Sequence, residues 1–254
     1  MSTDFVPGIY NYCDRWCERC AFTTRCFLFA REKTYFGDKT EHDLKSDAFW
    51  KTMQGIFRDT KTLIQRAAVE HGIDLNTLDQ EELDRTMKEI ASVDRQVRHD
   101  PLVVQANRYS SWVDKWFERH ASSLEQKRDE LVSLEMMQLD GCDPEAEAIS
   151  LTDACKVVHW YQFQIAVKFS RTLGSDNQRE LLDEDAMRTD SLGSAKVALL
   201  GIDRSLAAWA ILREAFPEHA DEILDILVDL NQLRRAGEAR FPDARAFLRP
   251  GLDG

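Results

Sequence analysis

A chain of 254 residues with 43% hydrophobic content has enough apolar material for one sizeable core or two small ones, so disorder is not the starting assumption. Its net charge of -12 argues against general nucleic-acid binding and against anionic membranes, since both partners need clustered Lys and Arg. Only six prolines and eleven glycines accompany abundant Leu, Ala, Glu, Asp and Arg, which favours long helices over short strands. The expected fold class is all-α, a helical bundle of about six helices with an N-terminal cysteine-rich metal-binding loop.

The opening run MSTDFVPGIYNYCDRW lacks the basic start and apolar core of a secretory signal, and no apolar run is long enough to span a bilayer. The expected location is the cytoplasm, where crowded cysteines bind metal or do redox work in preference to forming disulfides. Three segments are read: a cysteine-rich iron-sulfur module over 1–38, a helical bundle over 39–240 and a C-terminal tail over 241–254.

In the first segment Tyr10, Tyr12, Trp16, Phe22, Phe27, Phe29, Tyr35 and Phe36 are interleaved among the cysteines. From about 41 to 71, Leu44, Phe49, Met53, Ile56, Phe57, Leu63, Ile64, Ala67 and Ala68 keep the three-and-four spacing of a buried helix face, and Gly72 is placed to end it. A shorter charged helix follows over about 78–98. Asp100-Pro101 then supplies an N-cap and a first-turn proline for a long helix reaching about 137. Asp143-Pro144 repeats the signal, with Glu145 and Glu147 near the positive helix start and a stop near Gly174. The polar stretch Ser175 to Thr189 reads as a loop or a short charged helix. Two last helices are expected over roughly 190–214 and 217–236.

The run CDRWCERCAFTTRC places Cys13, Cys17, Cys20 and Cys26 at C-x3-C-x2-C-x5-C spacing, four soft ligands within fourteen residues. Core burial explains such density poorly, because it would crowd reactive thiols into one loop. Structural zinc sites usually draw on two short knuckles separated by a longer span, whereas compact cysteine runs wrap iron-sulfur cubes, so a [4Fe-4S] cluster is read first and zinc is the alternative. The sub-run CERCAFTTRC resembles the C-x2-C-x5-C element that closes a [4Fe-4S] cluster in iron-sulfur nuclease subunits of bacterial recombination machinery, and a similar element of auxiliary-cluster domains. The resemblance covers ten residues and implies a cluster, not nuclease activity, since the remaining chain lacks the mixed α/β pattern and acidic-lysine motif of those enzymes. CDRWCERC also resembles the C-x3-C-x2-C loop of radical S-adenosylmethionine enzymes. It departs from that family at Arg19, where an aromatic is usual, and in lacking the strand-helix alternation of its barrel. Arg15, Arg19 and Arg25 are placed to offset the negative charge of a thiolate-bound cluster, or simply to solvate the loop.

A second candidate site lies in the helices. Cys155, His159, Gln162 and Ala166 share one stripe beside apolar Leu151, Val158, Ile165 and Phe169, and His120 sits similarly on the preceding helix. Lys196 and Asp203 lie two turns apart on a helix of otherwise small and apolar residues, so burying either charge requires a counter-ion or ligand. The candidate cofactor-binding residues are His120, His159, Gln162, Lys196, Asp203 and Arg204; a buried hydrogen-bond network that fixes helix register is preferred over a pocket. No E-x-x-H pair, Gly-rich phosphate loop or nucleophile elbow occurs. Cys142 and Cys155 read as structural. With all four N-terminal cysteines as ligands, a cluster has no open iron, which points to electron transfer, redox sensing or an accessory maturation role with a redox or protein partner. The alternatives are an enzyme using the helical pocket, or a zinc-stapled structural or interaction protein.

Overall fold

A computed structural model describes residues 4–37, 45–75, 77, 79–137, 143–178 and 184–253, and these hold eight α-helices and no strand. The all-α class is as expected; the helix count is higher than the six anticipated. No helix among the described residues is long and apolar enough to cross a membrane. The chain divides into two compact units. The first comprises 1–11, 15–92 and 250–252, the second 12–14, 93–249 and 253–254.

In the first unit two single 3-10 turns, Cys17–Arg19 and Thr23–Arg25, precede α1, Phe27–Phe36. That helix was not anticipated, because aromatics on every side of it blur the 3.6-residue pattern. Helix α2, Asp47–Glu70, starts where the Ser46 hydroxyl accepts the Ala48 N–H at 3.2 Å. It ends in a Schellman motif: Gly72 takes φ +68°, its N–H reaches the Val69 carbonyl at 3.1 Å, and the Ile73 N–H reaches the Ala68 carbonyl at 2.8 Å. Tyr35 of α1 donates to Asp59 of α2 at 2.6 Å, and Phe36 stacks on Phe49 at 6.3 Å. Helix α3, Gln80–Arg98, has residues 80–92 in this unit. The unit has little core, since Ile9 and Ala68 are its only buried apolar side chains among the described residues, while Trp50, Phe57 and Leu63 are more than half exposed.

The second unit carries the large core. Helices α6, Pro144–Asn177, and α7, Glu184–Ala215, run antiparallel, since Arg171 pairs with Asp190 at one end and Tyr161 meets Arg204 further along. Helix α4, Pro101–Arg119, lies antiparallel to α8, Ala220–Arg240, with Gln105 donating to the Asp229 carbonyl at 3.0 Å and Arg119 pairing with Glu222 at 3.0 Å. Trp209, Tyr109, Tyr161, Phe169 and Phe216 fill the centre. Trp209 Nε1 donates to the Tyr109 hydroxyl at 3.1 Å, and burial pushes that hydroxyl's pKa up to about 12. The expected caps form: Asp100 accepts from Leu102 N and Asp143 from Ala146 N, each at 2.9 Å.

The long helix expected from 101 to 137 is instead two, α4 and α5, Ala121–Met137, broken at His120. The His120 ring is buried against Trp116 and stacked 3.8 Å from His219, with Nε2 3.0 Å from Glu222. Residues 175–177 extend α6 and 184–189 open α7, so of the stretch expected to be a loop or a short charged helix the described residues are helical except Gln178, which caps α6. Cys142 and residues 179–183 lie outside the described residues. The segment after α8 is packed: Phe241 and Ala244 are buried, and Phe247 meets Tyr12 edge-on at 5.2 Å.

Candidate functional site

The cysteines are placed by short-range structure. Cys17 opens the first 3-10 turn, Cys20 follows it, and Cys26 closes the second turn and precedes α1. Cys13 falls in the three-residue stretch Tyr12–Asp14 that belongs to the second unit. All four are of intermediate burial and none is in a disulfide. Cys20 Sγ accepts the Phe22 N–H at 3.4 Å, the contact that stabilises a sulfur carrying negative charge. Arg15 has φ 59°, a left-handed conformation that costs a non-glycine residue energy and turns the chain sharply after Asp14.

The three arginines of the motif have protein partners. Arg15 lies 3.8 Å from Glu32, Arg19 packs over the Trp16 ring at 3.7 Å, and Arg25 donates to the Asp4 carbonyl at 3.4 Å. Phe5 and Tyr10 pack on Phe27 at 5.6 and 6.5 Å. Among the described residues, no three His, Cys, Asp or Glu side chains are gathered as a metal-holding group. The fit to a cluster therefore rests on donor chemistry: four thiols, with one sulfur already accepting a backbone N–H.

The residue after Cys13 is held from several directions. Trp160 Nε1 and Gln164 Nε2 donate to the Asp14 carbonyl at 3.0 and 2.6 Å, while its carboxylate takes hydrogen bonds from the Tyr161 hydroxyl and Arg204. Burial raises the Tyr161 hydroxyl pKa well above the usual range, and the hydrogen bond to Asp14 raises it further. Two residues earlier, the Tyr12 ring lies so close to Gly193 that a Cβ there would sit 2.4 Å from it. Residues 12–14 are thus strapped to α6 and α7. Spacing along the sequence gives no signal for this clamp, because Asp14 meets its partners about 150 residues away.

The six polar residues expected in the helices go to separate partners. His120 bonds to Glu222, which holds the Glu222 carboxyl below its usual pKa. His159 is exposed; its Nδ1 lies 2.8 Å from the Cys155 carbonyl and its ring 4.2 Å from Phe117. Gln162 is buried with its Oε1 unpartnered. Lys196 reaches the Phe247 carbonyl at 2.6 Å and Asp253 at 2.8 Å. Asp203 is bound by Arg245, which also takes Glu238 at 2.7 Å. Arg204 belongs to the Asp14 clamp. Cys155 is half-buried, and desolvation pushes its thiol up to about 11, so it is neutral near pH 7. In comparisons with known proteins, no family model, no curated protein and no solved structure matches the chain.

Proposed function

We propose that the N-terminal segment binds a [4Fe-4S] cluster through Cys13, Cys17, Cys20 and Cys26, and that the protein serves a redox, electron-transfer or accessory maturation role. The observation that carries this reading is the packing of four cysteines, none in a disulfide, into fourteen residues at spacings found in cluster loops. The meagre core of the first unit supports it, because small units lacking buried apolar area commonly rely on a metal for stability. A bound cluster supplies one-electron chemistry. Cys20, Cys17, Cys13 and Cys26 act as ligands, the Phe22 N–H tempers the charge on its sulfur, and Arg15, Arg19 and Arg25 raise the local positive potential. The cytoplasm is the compartment where this chemistry is expected to operate.

The test is anaerobic purification followed by an absorption spectrum and metal analysis. Brown protein with about four irons per chain, lost in the Cys20→Ser variant, agrees with the cluster. Colourless protein with one zinc assigns the thiols to a structural staple instead, and anaerobically purified protein free of metal removes the reading.

A further inference from the structure

The second unit contains a large, half-open apolar cavity that plays no part in the cysteine site. It has a volume of about 930 Å³ and lies between α5 and α6, floored by Phe117, Leu131, Leu151 and Phe216. It follows α6 from Pro144 to His159, about 22 Å at ~1.5 Å per residue. That size and lining are those of a small-molecule site, in which apolar walls supply affinity and a few polar groups supply orientation.

The polar groups are unequal. Lys127, which lines the cavity, is committed to Glu147 at 2.9 Å and Glu130 at 3.5 Å, and Arg128 is committed to Asp129 at 2.9 Å. Among the described residues Lys156 makes no hydrogen bond or ion pair, and it lies one helical turn from His159 on the same wall. The His159 ring is held by its Nδ1 contact to the Cys155 carbonyl and by Phe117, and its Nε2 has no partner among the described residues. Glu135 and Glu145 line the cavity nearer the start of α6 and disfavour a second negative charge there.

We propose that this cavity binds a free long-chain monocarboxylate, its carboxylate at Lys156 and His159 and its alkyl chain along the apolar wall toward the start of α6. One anionic head and one uncharged tail match a site that has, among the described residues, one uncommitted cation at one end and acidic side chains at the other. The binding is non-covalent, and the neutral Cys155 thiol takes no chemical part.

Isothermal titration calorimetry of the intact protein with laurate, myristate and dodecanol tests this. Laurate is expected to bind with a 1:1 stoichiometry, myristate more tightly by on the order of fourfold per added methylene, and dodecanol about tenfold more weakly than laurate. Lys156→Gln, a change at an exposed position, removes most of the preference for laurate over dodecanol. Thr152→Trp fills the cavity and abolishes binding of both, with folding checked by circular dichroism. Absence of binding by any of the three, equal binding of laurate and dodecanol to the natural chain, or full binding by Thr152→Trp overturns the proposal.

Discussion

Asp14 shows how much one residue can organise. It is an unremarkable acidic residue in a turn, yet its carbonyl and carboxylate together collect Trp160, Gln164, Tyr161 and Arg204. Arg204→Met keeps the stem of the side chain and removes the charged donor. The expected cost is about 1–2 kcal/mol, reduced from that of a buried pair because Arg204 is about half exposed. Hydrogen exchange should rise at the amides around residues 12–14 and stay constant in α8; uniform loss of protection would show that the clamp is not local. Asp253 gives a pH-dependent case. Its hydrogen bonds to Arg249, and then to Lys196, hold its carboxyl far below the usual carboxylate range. A depressed folded pKa means stability that is complete above the unfolded value of about 4 and lost as pH falls below it. Asp253→Asn should therefore cost about 1 kcal/mol at pH 7, with the difference from the natural chain closing toward pH 2 in urea titrations. An equal difference at both pH values would exclude the ionic account. At this scale the need for a partner was legible and the partner was not. Lys196 stands out as a charge on an apolar helix, but nothing in its surroundings in the sequence points to Asp253.

Helices whose signals are local were readable. Asp100-Pro101, Asp143-Pro144 and Gly72 mark ends that form as expected, because a cap acts within four residues of itself. The break at His120 was not readable, since the residues its ring meets, His219 and Glu222, lie about 100 residues further along the chain. Gly193 separates the two kinds of information. By helix propensity alone, Gly193→Ala within α7 should stabilise by up to about 1 kcal/mol. The Tyr12 ring occupies the space, with three of its carbons 2.4–2.7 Å from an added Cβ, so either the ring leaves or the helix shifts. The expected net effect is destabilisation of about 1–3 kcal/mol, read as a lower thermal midpoint. Pairing the substitution with Tyr12→Ala should restore the propensity gain; failure of that rescue would place the strain elsewhere.

The two units divide the molecule by what holds each together. Almost all large buried side chains lie in α4–α8, where tertiary packing is enough to keep the helices in place. The first unit displays amphipathic α2 and α3 with much of their apolar surface exposed, Phe57 at 66% and Met87 at 57%. The periodicity of α2 promised a buried face, and periodicity alone does not say whether the chain supplies the cover. The cysteine motif is equally a matter of pattern: four thiols were legible, and spacing along the chain does not say how they are arranged in space. These facts yield a prediction about the whole chain. If a metal is the main tie of residues 13–36, its removal by chelation should cost stability there, because the described side chains bury little that compensates. Hydrogen exchange on anaerobically prepared protein, before and after chelation, should show protection falling over 13–36 while α6 and α7 keep theirs. Equal protection of 13–36 in both states would mean that the turns and α1 stand on Tyr35, Asp59 and the Phe27 aromatic contacts alone, with the thiols adding nothing to their stability.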